Sequence, residues 1–165
     1  MYIRRAENKD IGNIKALLGQ VLEIHHKGRP DLFKSGCTKY TDSELSDILS
    51  NPLRPVFVAD CDGKVMGYAF CEIIEHKNHN ILTDIKTLYI DDLCVDENAR
   101  GKHIGKTLYE AVLKYAREIN CYNVTLNVWS CNTDALAFYE KLGLKPQKTG
   151  MEFILKETEN NYLGK

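Results

Sequence analysis

The segment Val95-Asp96-Glu97-Asn98-Ala99-Arg100-Gly101-Lys102-His103-Ile104-Gly105-Lys106-Thr107 carries the clearest chemistry in the chain. An apolar run ends, a basic glycine-containing turn follows, and an amphipathic run starts. The first turn of a helix offers unpaired N–H groups at the positive end of its dipole. Glycines let a phosphate approach those amides, and Arg100, Lys102 and Lys106 add positive charge. An ordinary exposed turn with solvated charges is the competing reading. Just upstream stands an acidic pair, Asp91-Asp92. Adjacent residues in a regular strand face opposite sides, so at most one carboxylate serves a given site unless a bulge turns both. His25, His26, His76 and His79 follow no ligand spacing, and no metal site is expected.

These residues need elements to hold them. Tyr2 to Arg5 reads as a short strand. Ile11, Ile14, Leu17, Leu18, Val21 and Leu22 make one helical face, ended by Gly28 and Pro30. Thr41-Asp42-Ser43-Glu44 is a capping box for a second helix, which Asn51-Pro52 stops. Pro55 to Ala59 and Val65 to Ile74 are strands around the hairpin signal Asp62-Gly63. Glu75 to Asn80 is a polar loop, and Lys86 to Val95 a long strand. Ile104, Leu108, Ala111, Val112, Tyr115, Ala116 and Ile119 define the most regular helix. Val124, Leu126 and Val128 alternate as a strand. Asn132 is placed to cap a helix carrying Ala135, Leu136, Tyr139 and Leu142, with Gly143 as its stop. Met151 to Leu155 reads as a last strand. The order predicts one mixed α/β domain over residues 1–156, with a largely antiparallel sheet flanked by helices and a polar tail at 157–165.

Two kinds of phosphate loop fit the basic turn in part. In the nucleotidase pattern G-x-x-x-x-G-K-[ST], Gly105-Lys106-Thr107 supplies the end, but the leading glycine falls on Arg100. The roughly 60 residues after the loop are also too few for the usual parallel sheet. In the acetyl-CoA pattern [QR]-x-x-G-x-[GA], Arg100 and Gly105 match and His103 replaces the middle glycine. The amide of residue 103 can still donate if its backbone is helical, where a Cβ costs nothing.

With that loop, the chain resembles the GNAT superfamily of acetyl-CoA-dependent N-acetyltransferases. Tyr89 to Val95 resembles the strand entering the acetyl-CoA loop. Asn132 to Leu144 resembles the segment N-x-x-A-x-x-x-Y-x-x-x-G-[FL]. The resemblance runs from Tyr2 to Leu155, and it implies acetyl transfer from acetyl-CoA, as cosubstrate and without a metal, to a primary amine by direct attack in a ternary complex. It implies a bulge in the strand, backbone pairing of Leu93, Cys94 and Val95 with pantetheine, and pyrophosphate held by Arg100, Gly101, Lys102, His103, Ile104, Gly105 and Lys106. Asn132 and Ala135 would contact the coenzyme arm. Tyr139 is the position carried over as general acid. Similarity to the polyamine-acetylating branch makes Asp91 the first candidate base and Asp92 the second. Asn127 stands where some relatives carry a glutamate and cannot be a base. The stretch from His25 to Phe33 falls where the family builds its acceptor wall.

Composition narrows the partners. Net charge is −1, from 22 basic and 23 acidic side chains. Binding of duplex nucleic acid by counterion release calls for a basic excess, so none is expected. No 18-residue apolar run or secretory signal is present, which gives a cytoplasmic expectation without membrane partners. Cys37, Cys61, Cys71, Cys94, Cys121 and Cys131 form no C-x-x-C pair and read as reduced, structural thiols. The acceptor is an amine-bearing small molecule or protein, and a homodimer is compatible with the sequence. A coenzyme-binding sensor or interaction module without turnover is the alternative function.

Overall fold

The computed structural model describes residues 1–155. The expected domain boundary at 156 and the polar tail lie outside the described residues. Five strands form one sheet in chain order: β1 (Tyr2–Arg5), β2 (Val56–Cys61), β3 (Lys64–Glu75), β4 (Lys86–Val95) and β5 (Asn123–Leu126). The first four are antiparallel neighbours, and β5 joins β4 in parallel. Helices α1 (Ile11–Gly28) and α2 (Asp42–Ser50) precede β2. Helix α3 (Ile104–Glu118) makes the crossover from β4 to β5, and α4 (Thr133–Lys141) follows β5. This is the mixed, largely antiparallel architecture expected from the sequence.

The sheet separates two apolar layers. On one face Phe57, Ala59, Ala69, Cys71, Leu88 and Ile90 pack against Leu108, Val112 and Ala116 of α3. On the other, Val56, Val58, Tyr68, Phe70 and Cys94 pack against Ile14, Leu17 and Leu18 of α1 and Leu45 and Ile48 of α2. The period-two alternation of β2 and β3 supplies both layers. Local signals act as read. Asp62 and Gly63 both take positive φ, 54° and 85°, as a two-residue type I′ hairpin requires. Thr41 and Glu44 make the reciprocal capping box of α2. Gly143, at φ 90°, closes α4, with its amide on Glu140 O and the Leu144 amide on Tyr139 O, a Schellman end.

Two strand expectations are corrected. The alternation through Val128 does not extend β5, which stops at Leu126. Met151 to Leu155 forms no strand and is exposed. Side-chain pattern marks where a strand can form, but a strand also needs a paired neighbour.

All six cysteines are free thiols: Cys71 and Cys94 are buried, Cys61 and Cys121 half-buried, and Cys37 and Cys131 exposed. Burial pushes the Cys71 and Cys94 thiols up to about 12, which keeps them protonated and inert. Among the described residues no group of three ligating side chains could hold a metal ion, and no helix is long and apolar enough to cross a membrane.

Candidate functional site

The site is built on an irregularity of β4. Phe70 of β3 faces Asp92 and Cys71 faces Ile90, so Asp91 is an extra residue without a partner, a β-bulge. The bulge inverts the side-chain phase. Leu88 and Ile90 lie in the α3 layer, while Cys94 lies in the α1 layer. Asp92, opposite Phe70 and hydrogen-bonded by the Tyr68 hydroxyl at 2.9 Å, shares the α1 side. Asp91 accepts from Lys39 Nζ at 3.0 Å, and the same ammonium acts on Asp92 by its charge. The regular-strand expectation of opposed carboxylates therefore does not hold; both answer one cation. Burial pushes the Asp92 carboxyl above its ordinary value, against the opposing pull of Lys39 and Tyr68.

Beyond the bulge the two parallel strands part. Their last paired residues are Ile90 and Leu126. Residues 91–95 of β4 continue beside β3 only, which leaves their other edge facing a cleft of about 2230 Å³. Leu93, Cys94 and Val95 line it, as do Arg100, Gly101, His103, Ile104, Gly105 and Lys106. Lys102 is exposed and does not.

Helix α3 starts at this cleft with no side-chain cap and no acidic residue in its first turn. Its donors and dipole are thus available to an anion. The residue before it departs from the helical backbone that the sequence suggested: His103 sits at φ 61°, ψ 10°. That is the left-handed region, which costs an L-residue roughly 1–2 kcal/mol. The glycine of the family pattern would avoid that cost. Gly101, at φ 78°, has open space where a Cβ would go. Gly105 does not: a Cβ there would stand 3.2 Å from Phe138 Cζ and 3.5 Å from Val95 Cγ2. Its smallness serves contact between α3 and α4 as well as any ligand.

Helix α4 closes the other flank. The Asn132 side chain accepts from the Ala135 amide at 3.2 Å, so it is the expected cap. Asn132, Ala135 and Tyr139 all line the cleft. Tyr139 is 9% exposed, and its hydroxyl has no hydrogen-bond partner among the described residues. Burial, reinforced by the Asp92 charge, holds that hydroxyl well above the ordinary phenol value.

Another part of the wall comes from the last turn of α1 and the segment after it. His25 packs on Phe33 at 5.0 Å, and Phe33 meets Trp129 edge-on at 5.3 Å. This aromatic contact links the α1–α2 connection to the chain leaving β5. Burial, with help from the Lys39 charge, lowers the His25 pKa. His26 turns aside, its Nδ1 2.7 Å from Phe33 O. Asn127 donates to the Tyr89 hydroxyl at 3.1 Å. Sequence reasoning missed Lys39 and Tyr68. Neither carries a local signal, because each reaches the acidic pair only through tertiary contact.

Comparison with known proteins agrees with this geometry. The model of the acetyltransferase (GNAT) family matches residues 20–144. The BH1408 protein from Bacillus halodurans, solved as a mutant, superposes with a TM-score of 0.91 at 32% identity, covering 94% of this chain and all of that one. N-acetyltransferase 8B from Homo sapiens is 31% identical over 131 residues, 74% of this chain and 55% of that protein. The chain spans about half the length of the first curated relatives it matches. Aminoglycoside N-acetyltransferase AAC(6')-Iy, solved with CoA, shares the fold, with a TM-score of 0.70 at 16% identity over 94% of this chain and 99% of that one. The chain belongs to the GNAT acetyltransferase family.

Proposed function

We propose that the chain transfers the acetyl group of acetyl-CoA to a primary amine by direct attack within a ternary complex. The observation that carries this reading is the bulge at Asp91. It brings two carboxylates into the lining of a cleft that the uncapped start of α3 also lines. The residues fit the coenzyme. Open backbone at Leu93 to Val95 suits pantetheine, and the turn from Arg100 to Lys106 suits pyrophosphate, with Lys102 able only to add charge at the rim.

An alkyl amine has a pKa near that of lysine, about 10.4, and reaches the site as an ammonium. Asp91 attracts it and takes its proton. Asp92, held by Tyr68 and raised by burial, is the second candidate base and supports the field around the amine. A backbone amide of Leu93 to Val95 stabilises the developing oxyanion. Tyr139, kept protonated by burial, gives its proton to the departing thiolate, and Asn132 and Ala135 border the coenzyme arm. The acceptor is an amine-bearing small molecule or protein. We place the enzyme in the cytoplasm, with residues 1–156 as its catalytic domain.

The test is a thermal melt followed by an amine panel. A ligand at 100 times its Kd stabilises by about 2.7 kcal/mol. Acetyl-CoA at that excess should raise Tm, whereas ATP with magnesium should not. Thiol release with at least one amine of the panel is then expected. A Tm response to ATP alone would overturn the reading. Coenzyme binding with no turnover on any amine would make the chain a sensor.

A further inference from the structure

A base that deprotonates an acceptor must lie within hydrogen-bond reach of the acceptor nitrogen. In this structure a primary amine already occupies that place. Lys39 Nζ stands 3.0 Å from Asp91 Oδ2, and Lys39, Asp91, Asp92, Leu93 and Tyr139 line the same cleft. The ammonium is 5.3 Å from the Tyr40 ring centroid, and its side chain is 39% exposed. Lys39 belongs to the irregular connection between α1 and α2, outside any helix or strand. It is the one lysine among the described residues that pairs with either member of the acidic pair.

Resting on the acetyl-transfer reading above, we infer that Lys39 is itself an acceptor: the protein acetylates its own Lys39 within one chain. The step balances without a further reagent. One ammonium proton passes to Asp91 and on to solvent. The neutral nitrogen attacks the acetyl carbonyl carbon, forming the C–N bond as the C–S bond breaks. A second N–H proton leaves through Asp91 as Tyr139 protonates the thiolate, and solvent restores Tyr139. The products are one acetyl-lysine and free CoA. Burial works to lower the Lys39 pKa, but the charges of Asp92 and Asp91 and the hydrogen bond to Asp91 leave it raised. Lys39 therefore meets the same need for a base as any other alkyl amine. Its advantage is position, since it is delivered to the carboxylate by its own chain. Acetylation removes the cation beside Asp91 and Asp92, so the modified protein presents to the next amine an acidic pair with no internal counter-charge, Asp92 keeping only the Tyr68 hydroxyl.

The experiment uses the whole chain with acetyl-CoA and no other amine. Intact mass should rise by one acetyl group, with one equivalent of thiol released per chain. Peptide mapping should place the group on Lys39. Exposed Lys114, with 80% of its side chain in solvent, reports uncatalysed acetylation. Lys39 should react at least about tenfold faster, with a rate constant independent of protein concentration. Lys39→Arg should lose the added mass while acetyl-CoA still raises its Tm. Without coenzyme, reductive methylation should label Lys39 more slowly in the wild type than in Asp91→Asn, because the ion pair holds the amine protonated. Equal labelling in the two would overturn the placement of Lys39. If acetyl-CoA raises Tm but Lys39 reacts no faster than Lys114, or its rate scales with protein concentration, self-acetylation is wrong and the acetyl-transfer reading stands. If acetyl-CoA leaves Tm unchanged, that reading falls and this inference falls with it.

Discussion

Asp91 and Tyr139 differ in what surrounds them, and their variants should fail differently. Asp91 is exposed and paired with a cation, whereas Tyr139 is buried beside Asp92. Asp91→Asn keeps size and removes charge. Turnover should drop most near neutral pH and recover in part at high pH, where more amine arrives neutral. A pH–rate profile reads this directly, and a uniform loss at all pH values would point to binding rather than proton transfer. Tyr139→Phe removes only the hydroxyl. A hydroxyl without a protein partner contributes little to the fold, so Tm should hardly move. Turnover should fall about 10²-fold, or roughly 2.7 kcal/mol in barrier. Full turnover in that variant would take Tyr139 out of the mechanism.

At the scale of elements, the start of α3 offers a sharper test than its glycine. Gly105→Glu would add charge beside the phosphate turn, but its Cβ also meets Phe138, so lost affinity could reflect displacement of α4. His103→Gly is cleaner. It relieves a left-handed backbone worth about 1–2 kcal/mol against about 0.5–1 kcal/mol of added unfolded-state entropy. Chemical denaturation should show a net gain of up to about 1.5 kcal/mol, with acetyl-CoA affinity kept. A loss would mean that the imidazole itself makes a stabilising contact. The caps and the hairpin were legible in the sequence because each is decided within a few residues: Thr41 with Glu44, Asp62 with Gly63, Asn132 with Ala135. The family resemblance implied a bulge in β4, but its place at Asp91 was not legible, because it is a count of residues against β3. The end of β5 was not legible either, since Val128 has the right side chain and no neighbour to pair with. The cleft exists because of both features. The loop and the α4 motif could thus be found by reading along the chain, while the grouping of Asp91, Asp92, Lys39 and Tyr68 needed the fold.

Across the whole molecule, the sheet edge far from the cleft is fastened by one arginine. Arg4 of β1 makes a two-pronged pair with Asp10, at 2.7 and 2.8 Å, and reaches Asp60 of β2 through Nε at 2.9 Å. Both carboxylates are 3% exposed. Asp10 also accepts from the Glu7 amide and Asp60 from the Gly63 amide, each at 2.8 Å. One guanidinium therefore joins β1, the turn that starts α1, and the β2–β3 hairpin. Removing it leaves two buried carboxylates without their counter-charge, a far larger loss than breaking a surface pair. Arg4→Ala should lower Tm by roughly 5–10 °C at pH 7. Acid should erase much of that difference. The Arg4 hydrogen bonds hold Asp10 below the ordinary carboxylate value, against the effect of burial, and the Gly63 amide with Arg4 does the same for Asp60. A group depressed in the folded state contributes stability above its unfolded pKa, about 3.9, and loses it as pH falls through the folded value. The gap in Tm between wild type and Arg4→Ala should therefore be widest above about pH 5 and narrow progressively below pH 4. Melts across that range measure it. A gap constant with pH would assign the effect of Arg4 to packing of its alkyl chain rather than to its charge.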